Sequence, residues 1–405
     1  MSNLSSRRSL LRSCLAAGAA LPLTEALSYG TTAQDSQAAT GAKPNGKTLL
    51  VLGGTRFVGP AVVDAALARG FTVTLFNRGK SNPHLYPKLE KLRGDRDTGD
   101  LDALRGRKFD VVVDPSCYLP RHAAEMAEVL GDNIGHYVVI SSISAYANEQ
   151  ESYVVDEDAP VGSITEEGIA KVTTIREVMT DGGIYYGPLK ALAEQKLEEM
   201  MPGRVTSLRP GVICGADDPS DRLPYWVKRV SDGGEVLCPG DPNQDFQFTD
   251  VLDLGEWSVD FGARKVGGVF NALGFDGKVT LQEFLHGCKI VLGRDDASFR
   301  WASEVFLMKH QVRPFSEMPF WLPEGAAHHY SNRRGIEAGM TFRPIAQTIQ
   351  NTMDWWNETR DDTYEWRYYG MKAEREAELL ALWSAAEGDG QEAESKSPAD
   401  IPSDR

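Results

Sequence analysis

The stretch from Lys47 to Gly70 leaves this chain few choices of fold. Lys47–Leu52 (KTLLVL) is a short apolar run of the kind that a parallel sheet buries on both faces. It runs directly into Gly53-Gly54-Thr55-Arg56-Phe57-Val58-Gly59. Pro60–Arg69 then reads as a helix, with Pro60 in the first turn and Gly70 as its stop. A glycine motif alone says little, but between a strand and a helix it is the signature of a dinucleotide-binding turn. Glycines let the main chain approach a pyrophosphate, whose charge rests on the helix N-terminus. Gly53, Gly54, Thr55, Arg56, Phe57, Val58 and Gly59 are therefore expected to bind NAD or NADP.

A second strand, Phe71–Phe76, ends in Asn77-Arg78-Gly79. An acidic residue at this point selects the ribose of NAD, whereas a nearby arginine accommodates the 2′-phosphate of NADP. Asn77 and Arg78, with Arg56 in the glycine turn, lean toward NADP or toward tolerance of both. A third strand leads to Gly94-Asp95-Arg96-Asp97. A fourth, Phe109–Val113, ends at Asp114, and a fifth, His136–Ile140, runs into Ser141–Tyr146. Strands alternating with helices predict an α/β fold, a Rossmann-like doubly wound parallel sheet with a smaller C-terminal substrate-binding region. Ligands of such sheets bind at the carboxyl ends of strands, where each of these motifs falls.

Tyr186-Gly187-Pro188-Leu189-Lys190 opens a further helix, and the four-residue spacing places Tyr186 and Lys190 on one face. An ammonium beside a phenol favours the phenolate and makes the tyrosine a usable base near neutral pH. Tyr185 is the competing tyrosine, but only Tyr186 has that spacing.

From about Lys47 to Trp356 the chain resembles the short-chain dehydrogenase/reductase superfamily, most of all the extended and atypical members grouped as NAD-dependent epimerase/dehydratases. The resemblance is carried by GGTRFVG, Gly94-Asp95, the SSISAY segment, YGPLK, LRPGVICG (Leu208–Gly215), FTDVLDL (Phe248–Leu254) and FNALG (Phe270–Gly274). It implies that Ser142 hydrogen-bonds the reacting hydroxyl, with Ser144 as the alternative. It implies that Tyr186 is the acid/base and that Lys190 holds the nicotinamide ribose and tunes the tyrosine. It also implies that Asp95 contacts adenine. Arg56 stands where another glycine is usual. Two departures narrow the chemistry. Ile143 and Ser144 replace the Asp-Glu that 4,6-dehydratases use to eliminate water. Phe246 stands where many nucleotide-sugar epimerases hold the diphosphate with an arginine.

The region after Gly211 is loop-rich and aromatic, and Arg222, Tyr225 and Trp226 are candidate substrate contacts, since rings stack on sugars and arginine forks onto anions. The expected organisation is an export signal at 1–33, a linker at 34–46, a Rossmann domain at 47–210 and an interleaved substrate region at 211–357. A C-terminal helix at 358–384 and a disordered acidic tail at 385–405 complete it.

Arg7-Arg8, followed by Leu10-Leu11, a weakly apolar stretch and Thr31-Thr32-Ala33, resembles a twin-arginine signal. The export machinery is thus an expected partner, and a periplasmic or extracellular location follows. No apolar run reaches the length of a membrane span. The net charge of −15 with no basic run argues against nucleic acid. Five scattered cysteines, none in metal-like spacing, predict no metal site and leave a disulfide open. A homodimer is likewise left open. An exported enzyme has no evident pool of free cofactor, so a retained cofactor recycled in each turnover is expected. The reading is an epimerase-like enzyme that transiently oxidises a sugar hydroxyl. A net dehydrogenase/reductase and a non-catalytic nucleotide- or RNA-binding relative are the alternatives.

Overall fold

Four largely buried strands from the N-terminal half, Thr48–Leu52, Thr72–Asn77, Phe109–Asp114 and Ile134–Ile140, build the centre of the molecule. The computed structural model describes residues 45–147, 152–179, 184–324, 328–361, 363–366 and 368–388. The export signal expected at 1–33, Cys14 and the tail beyond Gly388 lie outside the described residues. Seven parallel strands form the main sheet: β1 (Thr48–Leu52), β2 (Thr72–Asn77), β3 (Glu90–Arg93), β4 (Phe109–Asp114), β5 (Ile134–Ile140), β6 (Val205–Pro210) and β7 (Gly268–Ala272). Their order is β3-β2-β1-β4-β5-β6-β7, with Leu50 of β1 opposite Thr74 on one side and Val112 on the other. The order reverses between β1 and β4, the topological switch point at which doubly wound sheets bind ligands.

Leu49 and Val51 face one layer and Leu50 and Leu52 the other, as strand geometry requires. Helices α1 (Val58–Ala68) and, much later in the chain, α5 (Val251–Arg264) cover the first face. Helices α2 (Pro120–Leu130) and α3 (Tyr186–Met200) cover the second. A separate core lies outside the sheet, among α4 (Arg222–Asp232), α6 (Leu281–Val291), α7 (Ile345–Thr359) and α8 (Ala373–Gly388). Here α8 buries Leu379 and Trp383, and it continues through Ala385–Gly388, part of the stretch expected to be disordered. No helix among the described residues is long and apolar enough to cross a membrane. The four described cysteines, Cys117, Cys214, Cys238 and Cys288, are buried free thiols.

One buried polar contact ties the sheet to the pH. Thr206 donates its hydroxyl to the Val266 carbonyl, so it accepts from Nε2 of His136 at 2.7 Å; Nδ1 is buried without a partner, so a second proton there would be unsatisfied, which favours the neutral ring. Burial pushes its pKa down to about 4. An unfolded histidine takes up its proton near pH 6.5, so between there and pH 4 only the unfolded chain is protonated and stability falls on acidification. A His136→Gln variant, which keeps the donor to Thr206, should lose less melting temperature than wild type across that window. Parallel melting curves at pH 7, 6, 5 and 4 check it.

Candidate active site

A cleft of about 450 Å³ opens at the carboxyl ends of β1 to β4. The whole Gly53–Gly59 turn lines it, together with Phe76–Ser81, Gly94–Arg96, Pro115, Ser116 and Tyr118. Gly53 and Gly54 adopt φ of 124° and 90°, a region closed to other residues without strain. A Cβ on Gly59 would lie 2.7 Å from the Gly54 backbone, so the turn and the start of α1 touch main chain to main chain. No side chain caps α1 and its first turn carries no acid. The helix therefore turns its positive dipole end to the cleft, while Gly59 N donates to the Arg56 carbonyl at 2.9 Å and Pro60 has no N–H to satisfy. This cradle suits the pyrophosphate of a dinucleotide in shape and in charge.

The ribose end differs from expectation. Asn77 does not present a free carboxamide: its Nδ2 donates to the Gly53 carbonyl at 2.8 Å, and its Oδ1 accepts from Gly79 N and from the Arg93 guanidinium. It fastens β2 to the glycine turn. Arg78 is exposed, 3.9 Å from the Asp95 carboxylate, and Arg56 is exposed at the cleft wall. Beneath them lies a charged group that sequence reasoning passed over. Arg96 is buried and donates to Asp114 at 2.7 Å and to the Ser116 carbonyl at 2.8 Å, while Tyr137 donates to Asp114 at 2.7 Å. Burial alone would raise the Asp114 carboxyl, but Arg96 beside it holds it below the ordinary carboxylate range. The signal available was a charged residue, Asp114, closing the apolar run Val111–Val113.

At the end of β5 the chain leaves the sheet extended, and Ser142 caps the short turn Ile143–Ala145 by accepting from Ser144 N at 3.1 Å. Tyr186 is the first residue of α3. Gly187 presses on that turn so closely that a Cβ there would fall 1.8 Å from the Ser144 carbonyl oxygen. Ser142, Ser144, Tyr186 and Lys190 are thereby brought to one strand end. Lys190 is 2% exposed, and its Nζ donates to the carbonyls of Ile140 at 2.5 Å and Cys117 at 2.9 Å. Two of its three donors are thus engaged by backbone, where the resemblance implied a ribose contact. Its ammonium also lies 5.0 Å from the centre of the Tyr118 ring, which is 6.1 Å from the Tyr186 ring. Tyr118, absent from the expected site, links this group to the cleft.

Helix α3 is pinned by a buried ion pair. Arg209 of β6 grips Glu194 through Nε and NH2, the shortest contact being 2.6 Å, and its guanidinium lies 4.6 Å from the Tyr146 ring. Removing one member of such a pair strands the other, so Glu194→Ala should cost about 3–5 kcal/mol in chemical denaturation.

Three expected substrate contacts are not at this site. Tyr225 and Trp226 are fully buried in the C-terminal core, where Trp226 donates to the Pro319 carbonyl at 2.8 Å and Tyr225 packs edge-on against Trp366. They hold α4 in place and offer no surface to a ligand. Arg222 packs against Phe315 and Tyr369, with its Nε on Ser220 Oγ at 2.8 Å. Phe246 is also buried, stacked 4.6 Å from Phe284, so no charged handle stands there. Among the described residues, no group of His, Cys, Asp and Glu is arranged to hold a metal.

A seven-stranded Rossmann sheet with a glycine cradle at its switch point defines a dinucleotide-binding fold. The family model described as the NAD dependent epimerase/dehydratase family matches residues 49–271, more than half of the chain, and the protein belongs to that family. The family is NAD dependent, in agreement with the dinucleotide expected from the glycine turn.

Solved structures share the fold. The Bordetella bronchiseptica enzyme WbmH in complex with NAD+ is 17% identical, covers 77% of this chain and 99% of its own, and has a TM-score of 0.53. The UDP-N-acetylglucosamine 4-epimerase from Methanobrevibacter ruminantium M1, solved with UDP-N-acetylmuramic acid, is 16% identical, with coverages of 78% and 99% and a TM-score of 0.55. The chloroplast stem-loop binding protein of 41 kDa b from Arabidopsis thaliana is 28% identical over 184 residues, 38% of this chain. The match spans about half, 48%, of that protein's length.

Proposed function

We propose that this protein transiently oxidises a hydroxyl of a sugar or sugar derivative, keeps its NAD(P) bound, and returns the hydride to the same substrate, as an epimerase does. The observation that carries this reading is the convergence of Ser142, Tyr186 and Lys190 on the end of β5 beside a glycine-lined cleft. When bound, the nicotinamide supplies the hydride acceptor and donor. The residues supply the proton chemistry. Ser142 uses its oxygen as acceptor for Ser144 N, which leaves its O–H free to orient the substrate hydroxyl. Tyr186 takes the hydroxyl proton as the carbonyl forms and gives it back on return. Lys190 is fixed by two carbonyls, with its ammonium against the Tyr118 ring that neighbours Tyr186. Arg78 and Arg56, both exposed at the cleft, suit a 2′-phosphate as well as a bare ribose.

Phe246 in place of a diphosphate-binding arginine favours a free sugar, sugar acid or glycoside over a nucleotide sugar. Denatured protein should release about one equivalent of NAD or NADP, identified by mass spectrometry, and a sugar screen should then find interconversion. Protein that neither carries nor binds either nucleotide would sink the proposal.

Export by the twin-arginine route is proposed from Arg7-Arg8. Changing both to lysine should leave the protein in the cytoplasm, as cell fractionation would show. The name of the Arabidopsis relative raises stem-loop binding as a competing reading, which the net charge of −15 opposes. Retention of a stem-loop RNA at physiological salt would favour it.

A further inference from the structure

Ile175 and Pro219 line the cleft without belonging to any strand end of the nucleotide half, and Ile175 comes from a segment no motif marks. Val172 and Val178, three residues to either side, are both buried, in a small cluster with Leu119 and Leu189. Between these apolar pins the chain passes the cleft with Ile175 at its middle. Two hydrogen bonds tie this stretch to Asp97 and Arg121. Ile175 N donates to Asp97 Oδ1 at 3.2 Å, and the Thr173 carbonyl accepts from Arg121 at 2.7 Å. Arg121 is itself fixed by the carbonyls of Arg96 and Asp97 at 3.1 and 3.2 Å, directly after the cleft-lining residues Gly94–Arg96. Glu177 shapes the segment by accepting from the amides of Thr173 and Thr174.

We propose that Val172–Val178 is a strap across the cofactor cleft, with Ile175 as a cofactor-contacting residue and Asp97 as the positioning residue that latches it. The inference rests on the reading of the cleft as the dinucleotide site. A span pinned at both ends by burial and held in the middle by two hydrogen bonds opens when those bonds break, without unfolding of its anchors. Cofactor release is then governed by the latch. Tyr118, Tyr185 and Tyr186 pack against the same cluster as the two valines, so an open strap also loosens the packing around the reacting tyrosine. Retention of the cofactor and assembly of the chemistry are one event. This is the property that an enzyme recycling its own cofactor needs.

The test loads full-length protein with NADH or NADPH and follows the loss of bound fluorescence after a chase with excess oxidised nucleotide. Ile175→Gly removes the cover and leaves both anchors. Asp97→Ala removes the latch, whereas Asp97→Asn keeps an oxygen to accept from Ile175 N. Release should be about tenfold faster or more in Ile175→Gly and Asp97→Ala, and near the wild-type rate in Asp97→Asn. Rates in Ile175→Gly and Asp97→Ala within about twofold of wild type, or an Asp97→Asn as fast as Asp97→Ala, would overturn the strap. Wild-type protein that takes up neither nucleotide would instead overturn the reading of the cleft, and the strap with it.

Discussion

Tyr186→Phe should leave cofactor uptake intact and lower turnover by about 10²- to 10⁴-fold, the usual worth of a positioned acid/base. The phenyl ring fills the same space at the start of α3, so the contact of Gly187 with the Ser144 carbonyl and the packing against Tyr118 both survive. What is lost is the phenolic oxygen proposed to carry the proton. Lys190 cannot stand in, because two carbonyls engage it and it is buried. The measurement is sugar interconversion at saturating substrate alongside NADH binding by fluorescence. A variant within about tenfold of wild type would move the proton transfer to another group, with Tyr118 at the cleft wall or Tyr185 next in line. Ser142→Ala is a useful companion. It removes both the orienting hydroxyl and the cap on Ile143–Ala145, so it should also weaken the turn that Gly187 leans on.

Local stereochemistry made part of this molecule legible. A strand, a glycine turn and a helix in succession follow from rules that act within a few residues, and so does the spacing of Tyr186 and Lys190. Those features stand in the structure where the sequence puts them. Contacts between distant residues were hidden. Arg96 meets Asp114 across an intervening strand and loop, and Arg209 meets Glu194 from β6 to α3; each residue alone reads as a surface charge. The strap at Val172–Val178 has no motif, because its role comes from what lies beneath it. Tyr225 and Trp226 are a different kind of miss. Leu223, Trp226, Val227 and Val230 recur at i, i+3, i+4 and i+7, which is the buried stripe of a helix, and all four are buried. The aromatic composition suggested a ligand surface where the periodicity already indicated a core.

Gly59→Ala should damage the cofactor site more than any other single-methyl change in the cradle. Its Cβ would sit 2.7 Å from the Cα and carbonyl carbon of Gly54 and 2.9 Å from its nitrogen, closer than real contacts allow. Those atoms are backbone and cannot swing aside as a side chain can. Nor can α1 simply withdraw. On its other side Gly255 of α5 lies so near Ala61 that a Cβ there would be 2.6 Å from the Ala61 carbonyl. The helix is held between two glycine contacts, so the added methyl must be accommodated by the turn itself, at Gly53 and Gly54. Overpacking of this kind costs about 1–3 kcal/mol. Because the displaced atoms are those expected to face the pyrophosphate, most of that cost should fall on the bound state and reduce NADH affinity by up to about 100-fold. Isothermal titration separates the outcomes. A large loss of affinity with a modest fall in melting temperature places the phosphates on this turn. Affinity within about threefold of wild type would mean that they rest elsewhere, and the cradle would then be a packing device between α1 and the sheet.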